Sequence, residues 1–311
     1  MAEMKPIKFS KELQKYLFPD NAFFKKSMRD GGIAPDVESV EIPIAGVIPD
    51  AKSGVPALPL AATERTDDKK TYPVEQVYVP PVLVSRENDI VTNYGKLQDV
   101  VSQFADRLNT RIADISAVNW GSVPGTNILR TTGTTSRTTS LVGGTGNRKR
   151  VIYDDLVGVQ SLFNKMNLPS GGGRFALWTP DMIEDLFLID KLTEADKAQI
   201  ALIKSGQIGT IFGFTSMMRW NEAKGSNGLV YSVDAAIKRT IDEANAATDN
   251  AAALFWHSNL VRHAEGNAAT FIERGKPEYL GGTMISSVVR FGATQNRKDG
   301  KGVVSLVETN A

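Results

Sequence analysis

The sequence predicts an α+β fold with two folded regions and long appendages, on three observations. Ile90, Tyr94, Leu97, Val101, Phe104, Leu108, Ile112 and Ile115 recur at steps of three or four, which places them on one stripe of a single long helix over 85–120. Eight of the 14 prolines fall between Pro35 and Pro81, which rules out a helix there and favours extended arms. After the helix, short helical and strand patterns alternate, and the tail reads as β throughout.

The first 34 residues read as a mildly basic arm. Lys5, Lys8, Lys11, Lys15, Lys25, Lys26 and Arg29 stand against four acids in the first 30 residues. A short helix is expected near Ser10 to Leu17, ended by Pro19, within a solvated and partly ordered terminus. From 35 to 84, Val40, Ile42 and Ile44 alternate like a half-buried strand, and Val74 to Val84 forms a second extended run. The polar segment Pro49 to Tyr72 between them, with its charged knot Glu64 to Lys70, predicts a projecting hairpin that needs a partner to bury it.

The long helix has N-terminal capping chemistry in Ser85, Asn88 and Asp89 and a stop at Gly121 and Pro124. Its length at 1.5 Å per residue is about 45 Å, enough to span a flat domain. Asp89, Lys96, Asp99, Asp106, Arg107, Arg111 and Asp114 form the opposite face, expected to be solvated or to meet another subunit.

Ser122 to Arg150 follows, rich in Thr, Ser and Gly. Arg130, Arg137, Arg148, Lys149 and Arg150 are its only charges, so it reads as a flexible loop or as a basic surface for a pore, an interface or a polyanion. Ile152, Leu156, Val159, Phe163 and Met166 make a helical stripe stopped at Leu168-Pro169. Arg174 to Trp178 is a short strand, and Thr179-Pro180-Asp181 opens a helix with Thr as N-cap and Pro at its first position. Thr193 caps a further helix, Ile208 to Trp220 is extended, Asp234 to Asn245 reads as helix, and Ala251 to His263 mixes strand and helix. In the tail, Asp299-Gly300 between Thr283–Gly292 and Gly302–Val307 signals a hairpin. Its strands are the layer expected to cover the long helix.

Composition and motifs exclude several functions. With no cysteine there are no disulfides, thiolate nucleophiles or thiolate metal sites. A net charge of +1 gives no global pull toward nucleic acid or membrane, and no apolar run reaches the length of a span. Gly143 to Arg150 lacks the second glycine and the Ser or Thr of a phosphate-binding loop. His257 and His263, six apart, do not share a helix face as a zinc pair would, and no G-x-S-x-G elbow accompanies them. Asp154-Asp155 fits first-turn helix charge. No catalytic, cofactor or metal residue is assigned, and the chain does not read as an enzyme.

The order of parts, a basic arm, a Pro-rich hairpin, a spine helix, an inserted α/β region and a β-tail, resembles the major capsid protein of tailed double-stranded DNA phages, the Hong Kong 97 phage fold. Asn167-Leu168-Pro169 through Gly173-Arg174 to Thr179-Pro180, Lys204 to Phe214, and Arg290-Phe291-Gly292-Ala293 with the Arg297–Gly302 turn carry the local similarity. The resemblance implies an N-terminal arm at 1–34 and an extended loop at 35–73 laid over a neighbouring subunit. It implies a peripheral domain from 74–121 with 265–311 and an axial domain at 122–264. Hexamers and pentamers of the chain would build an icosahedral shell around phage DNA, touched through non-specific inner-surface contacts. A separate scaffolding protein or none (the N-terminus leaves no room for a fused one), a portal and decoration proteins are the further expected partners, with no membrane. Assembly is expected in the host cytoplasm, and the virion is the destination. Lys52, Lys69 and Lys70 lie in the loop, but no motif marks an acceptor for a covalent cross-link. A cargo-enclosing bacterial nanocompartment of the same fold is the alternative, and a monomer that binds nucleic acid through the basic 130–150 segment is a third.

Overall fold

The structure, a computed structural model, describes residues 19–31, 37–46, 51, 53–54, 64–84, 95–123, 127–169, 172–189, 209–233, 237–275, 277–279 and 281–311. After a 3-10 turn at Pro19–Lys25 come β1 (Met28–Asp30), β2 (Ser39–Ile44), β3 (Asp68–Pro73), β4 (Glu75–Val84) and the long helix α1 (Gly95–Trp120). The middle of the chain supplies β5 (Ile128–Arg130), β6 (Ser136–Thr138), β7 (Asn147–Lys149), α2 (Tyr153–Lys165), β8 (Arg174–Trp178) and α3 (Pro180–Phe187). Then follow β9 (Thr210–Ile211), β10 (Phe214–Met218), β11 (Val230–Tyr231), β12 (Asn250–His257), β13 (Val261–Glu265), β14 (Ala269–Arg274), β15 (Thr283–Gln295) and β16 (Val303–Val307). The helix expected to start at Thr193, the Ser10–Leu17 helix and the first ten residues of the 85–120 stretch lie outside the described residues.

Two larger sheets organise the molecule. In one the order is β1-β13-β15-β14, with β4 on the other edge of β15. In the other it is β5-β16-β12-β8-β10-β9, with β11 beside β12. All eight residues of β12 are buried, as expected of a strand covered on both faces. Because side chains alternate, Ala252, Leu254 and Trp256 join the core around α1, whereas Ala253 and Phe255 join the core around α2 and α3. One strand therefore divides the two cores.

The apolar stripe of α1 lands where its periodicity places it. Val101, Phe104, Leu108, Ile112 and Ile115 are buried, against Val77 of β4 and Val289 and Phe291 of β15 among others. The opposite face is less solvated than expected. Asp114 is buried and meets Arg219 at 2.8 Å and Asn221 Nδ2 at 2.7 Å, and Arg111 grips Asp242 with both guanidinium nitrogens. Only Asp106 and Arg107 of the described charged positions on that face are exposed without such pairing. The acids and bases that read as a free surface are met by the segment around 219–243, which sequence periodicity within the helix has no means to reveal.

Several expectations change. Asp299-Gly300 does form a turn, with Gly300 at φ 68, but β15 and β16 diverge from it into different sheets. All five residues of β16 are buried, a pattern that belongs between two neighbours (β5 and β12) rather than in a two-stranded hairpin. Val74–Val84 does not pair with Val40–Ile44. Its partner is β15, and β2 pairs with β3 instead, setting Val40 opposite Tyr72 and Ile42 opposite Lys70. Residues 237–245 are not helical: Lys238, Arg239 and Asp242 each bind a partner elsewhere, and such tertiary contacts override weak local propensity. The helix expected within 251–263 is one 3-10 turn, Ser258–Leu260.

The N-terminal arm is also anchored from Pro19 onward. Phe23 packs edge-on against Trp120 and Trp256, and Phe24 packs against His263 and Phe291. Trp256 Nε1 donates to the Lys26 carbonyl at 3.0 Å, and β1 runs parallel to β13. His263 lies beneath this strap, 2.7 Å from Ser27 Oγ, and burial with the nearby Arg29 and Lys25 pulls it down to about 4, Asp30 opposing. A buried neutral histidine costs stability when acid charges it. Unfolded His takes a proton near pH 6.5 and the native one only near 4, so this contribution is whole above 6.5 and declines as pH falls through that window, by roughly 3 kcal/mol at most. Chemical denaturation of His263→Asn at pH 7 and at pH 4.5 should show a smaller acid penalty than the unsubstituted chain; equal penalties would remove His263 from the account.

Candidate assembly surface

The arginines of the basic 122–150 segment are turned inward rather than presented. Arg137 reaches Asp181 at 3.1 Å, Asp185 at 3.3 Å and Glu308 at 2.5 Å, and Arg150 lies 3.8 Å from Asp185. Arg148 is buried and donates to the carbonyl oxygens of Thr145, Asn147, Ala247 and Asp249. Arg130 donates to the Val233 carbonyl. Three of the four arginines are thus committed to α3, the C-terminal segment and neighbouring loops, and the fourth approaches the same acid. The reading of this segment as a basic surface for a pore, an interface or a polyanion does not fit this geometry, in which the arginines turn inward. The signal was misread because the acids lie 35 to 171 residues away in sequence, beyond any window of local charge counting.

Local structure explains how the acids are presented. Thr179 caps α3 by accepting the Met182 amide, Pro180 follows, and the helix turns Asp181 and Asp185 to one side. Asp155, in the first turn of α2, accepts the Ile152 and Thr132 amides, so the adjacent pair Asp154-Asp155 serves a helix start. Burial pushes Asp181, Asp185 and Glu308 up from ordinary carboxylate values while Arg137 opposes it. For Arg137 burial works downward, and the three carboxylates overcome it to hold it above its usual value. Removing the arginine should leave three poorly compensated acids. Arg137→Met is expected to cost about 3–5 kcal/mol at pH 7.5. The deficit should shrink toward pH 4–5, because acids with raised native values regain stability as protons bind. Denaturant titration at both pH values measures this.

The histidines are packing residues. His257 caps the 3-10 turn by accepting the Asn259 amide, and His263 supports the strap. Among the described residues no cluster of three His, Asp or Glu side chains is arranged to hold a metal, and no helix is long and apolar enough to cross a membrane.

What stands open is a sheet face. The register of β4, β15 and β14 aligns Tyr78 with Val288 and Ala269, Ser286 with Phe271, and Leu83 with Met284. The other face of these strands, with Val77, Ile285 and Val289, is buried. On the open face Tyr78 is 67% exposed and Phe271 60% exposed, and a groove of about 690 Å³ runs along β14 and β15, lined from both faces by Phe271, Met284, Ile272 and Ile285. Contiguous apolar surface of this kind marks an interaction site.

Beside it the β2–β3 hairpin is fixed at its root. Ile42, Tyr72, Val74 and Ala264 form a small core, Tyr72 Oη donates to Asp30 at 2.6 Å, and Arg262 pairs with Asp30 at 2.8 Å. Gly292 permits this docking, since a Cβ there would stand 2.5 Å from the Pro73 carbonyl oxygen. The arm that seemed unable to bury itself thus buries its root.

A long helix backed by a sheet, a second α/β region sharing its central strand, an anchored N-terminal strap and a β-arm define the architecture of a phage shell subunit. Comparison with solved structures finds the same fold over nearly the whole chain. The capsid of Ralstonia phage GP4 matches with a TM-score of 0.62 at 12% identity, covering 94% of this chain and 88% of that one. The capsid of Cyanophage P-SCSP1u matches with a TM-score of 0.59 at 14% identity over 92% and 87%. The capsid of a native GTA particle matches with a TM-score of 0.61 at 11% identity over 94% and 91%. Curated protein sequences give no match. The sequence profile of the family described as phage capsid protein matches residues 116–308, more than half of the chain, and the chain belongs to that family. It is a major capsid protein of the Hong Kong 97 type, a structural protein of the phage shell.

Proposed function

We propose that copies of this chain associate as hexamers and pentamers and close an icosahedral shell around phage double-stranded DNA. The observation that carries this reading is the pairing of an open apolar sheet face with a β-arm that, among the described residues, is buried at its root. A subunit that leaves both unsatisfied gains stability from neighbours, modestly at each contact and repeatedly around a ring. In this reading 1–34 is the N-terminal arm and 35–73 the extended loop. Residues 74–121 with 265–311 form the peripheral domain and 122–264 the axial domain, with β16 reaching across into the axial sheet. With the arginines of 130–150 committed internally, DNA contact falls to other, non-specific inner surfaces. A separate scaffolding protein, a portal and decoration proteins are the partners such a shell would recruit, with assembly in the host cytoplasm.

The first test is negative-stain microscopy of the chain expressed alone, with absorbance of the same fraction. Round shells or tubes of hexamers are expected, and nucleic acid inside shells formed during infection separates a virion from a protein-filled compartment. A second prediction concerns the loop. Replacing 47–63 with a short Gly-Ser turn keeps β2, β3 and their root contacts. Circular dichroism should show a folded subunit, and microscopy no stable shells. Normal shells from that variant would overturn the role given to the loop.

A further inference from the structure

The hairpin root holds one cation that points into the body of the subunit. Lys70 is half-buried, and its Nζ donates to the Gln295 carbonyl at 2.6 Å and to the Arg297 carbonyl at 3.3 Å. The first of these acceptors belongs to an anchored residue. The Gln295 side chain is buried and donates to Trp120 O at 2.7 Å and Gly121 O at 2.9 Å, the last carbonyls of α1. Lys238 Nζ donates to Val118 O and Gly121 O at the same helix end. Two residues before Lys70, on the same face of the strand, Asp68 adds an exposed ion pair with Lys298 at 2.5 Å. Lys69, one residue away, instead pairs across the hairpin with Glu41 at 2.8 Å.

We propose that Lys70 is the positioning residue of the arm: it fixes the direction in which the β2–β3 hairpin leaves the subunit, by gripping a segment that is bolted to the carboxyl end of α1. The alternation of the strand explains the assignment. Lys69 and Lys70 are adjacent and equally charged, but they point to opposite faces, so one serves the hairpin and the other the joint. Ile42 and Tyr72 supply burial at the root, where Tyr72 Oη also bonds Asp30 and Arg290 bonds the Val37 carbonyl. Further out along β3, Lys70 adds directional hydrogen bonds to the segment tied to the end of α1. Burial and the neighbouring Lys298 pull Lys70 below its ordinary value, against Asp299, and Lys238 falls to about 8 through burial and the charge of Lys70. Only the consequence for shells rests on the proposed function; the positioning itself is a property of one chain.

The absence of cysteine makes a direct test available, since two introduced thiols are unique. Spin labels at Glu64→Cys, on the hairpin, and Asp106→Cys, on the exposed face of α1, report the angle between them. Labelled chain is diluted into excess unlabelled chain, so that only distances within one chain contribute. The unsubstituted chain and Lys69→Met should each give one narrow distance. Lys70→Met should lose it to a broad distribution, with far-ultraviolet dichroism unchanged. Lys298→Gln breaks the exposed half of the joint and should broaden it less; this variant decides the matter if Lys70→Met lowers the folded yield. A distribution for Lys70→Met that superimposes on the unsubstituted one, or equal broadening in Lys69→Met, overturns the proposal. A chain that forms no shells but responds to Lys70→Met in this way supports the positioning role and counts only against the shell.

Discussion

The structure depends on the double-sided burial of β12. A strand with eight buried residues must find apolar cover on both faces, and Ala252, Leu254 and Trp256 recruit one core while Ala253 and Phe255 recruit the other. Trp256 concentrates this role. It stacks on Phe175, meets Phe23 and Trp120, and donates to the Lys26 carbonyl, so β8, the N-terminal strap and the end of the long helix converge on one indole. Aromatic pairs of this geometry add specificity to area burial.

Around that axis the polar interactions act mainly as joints. Arg219 ties Asn21 of the strap to Asp114 and the Thr110 carbonyl of α1. Arg137 ties the β6 segment to α3 and to Glu308, just past β16. Lys70, Gln295 and Lys238 tie the hairpin and a loop to the carboxyl end of α1. Breaking such a joint by removing one partner is costly because the remaining charge or carbonyl stays buried. This use of arginine explains why the arginines of the most basic loop do not form a basic surface.

The apolar sheet face and the arm are the two features that a free subunit does not need. A protein optimised only for monomer stability would not leave Tyr78 and Phe271 in water on adjoining rows of one sheet. Subunits of a closed shell gain from such surface because every copy meets neighbours, and a contact too weak to hold a dimer suffices when it recurs around a ring. The same logic accounts for joints at the root of the arm, since a direction fixed before assembly reduces the ordering cost when a neighbour is engaged.

By itself the sequence determined the elements whose signal is local. The stripe from Val101 to Ile115, the Thr179-Pro180 helix start, the Arg174–Trp178 strand and the first-turn acids of α2 were all legible, because periodicity and capping act within a few residues. The order of parts also pointed to the capsid family. Tertiary structure alone decided which strand pairs with which and which charges are free. β16 leaves its apparent hairpin for a sheet where both its faces are buried, Asp114 leaves solvent for Arg219, and the basic loop is neutralised by acids far along the chain. Strand pairing and charge pairing are contacts between distant segments, and their free energies depend on a burial that exists only once both cores have closed around β12.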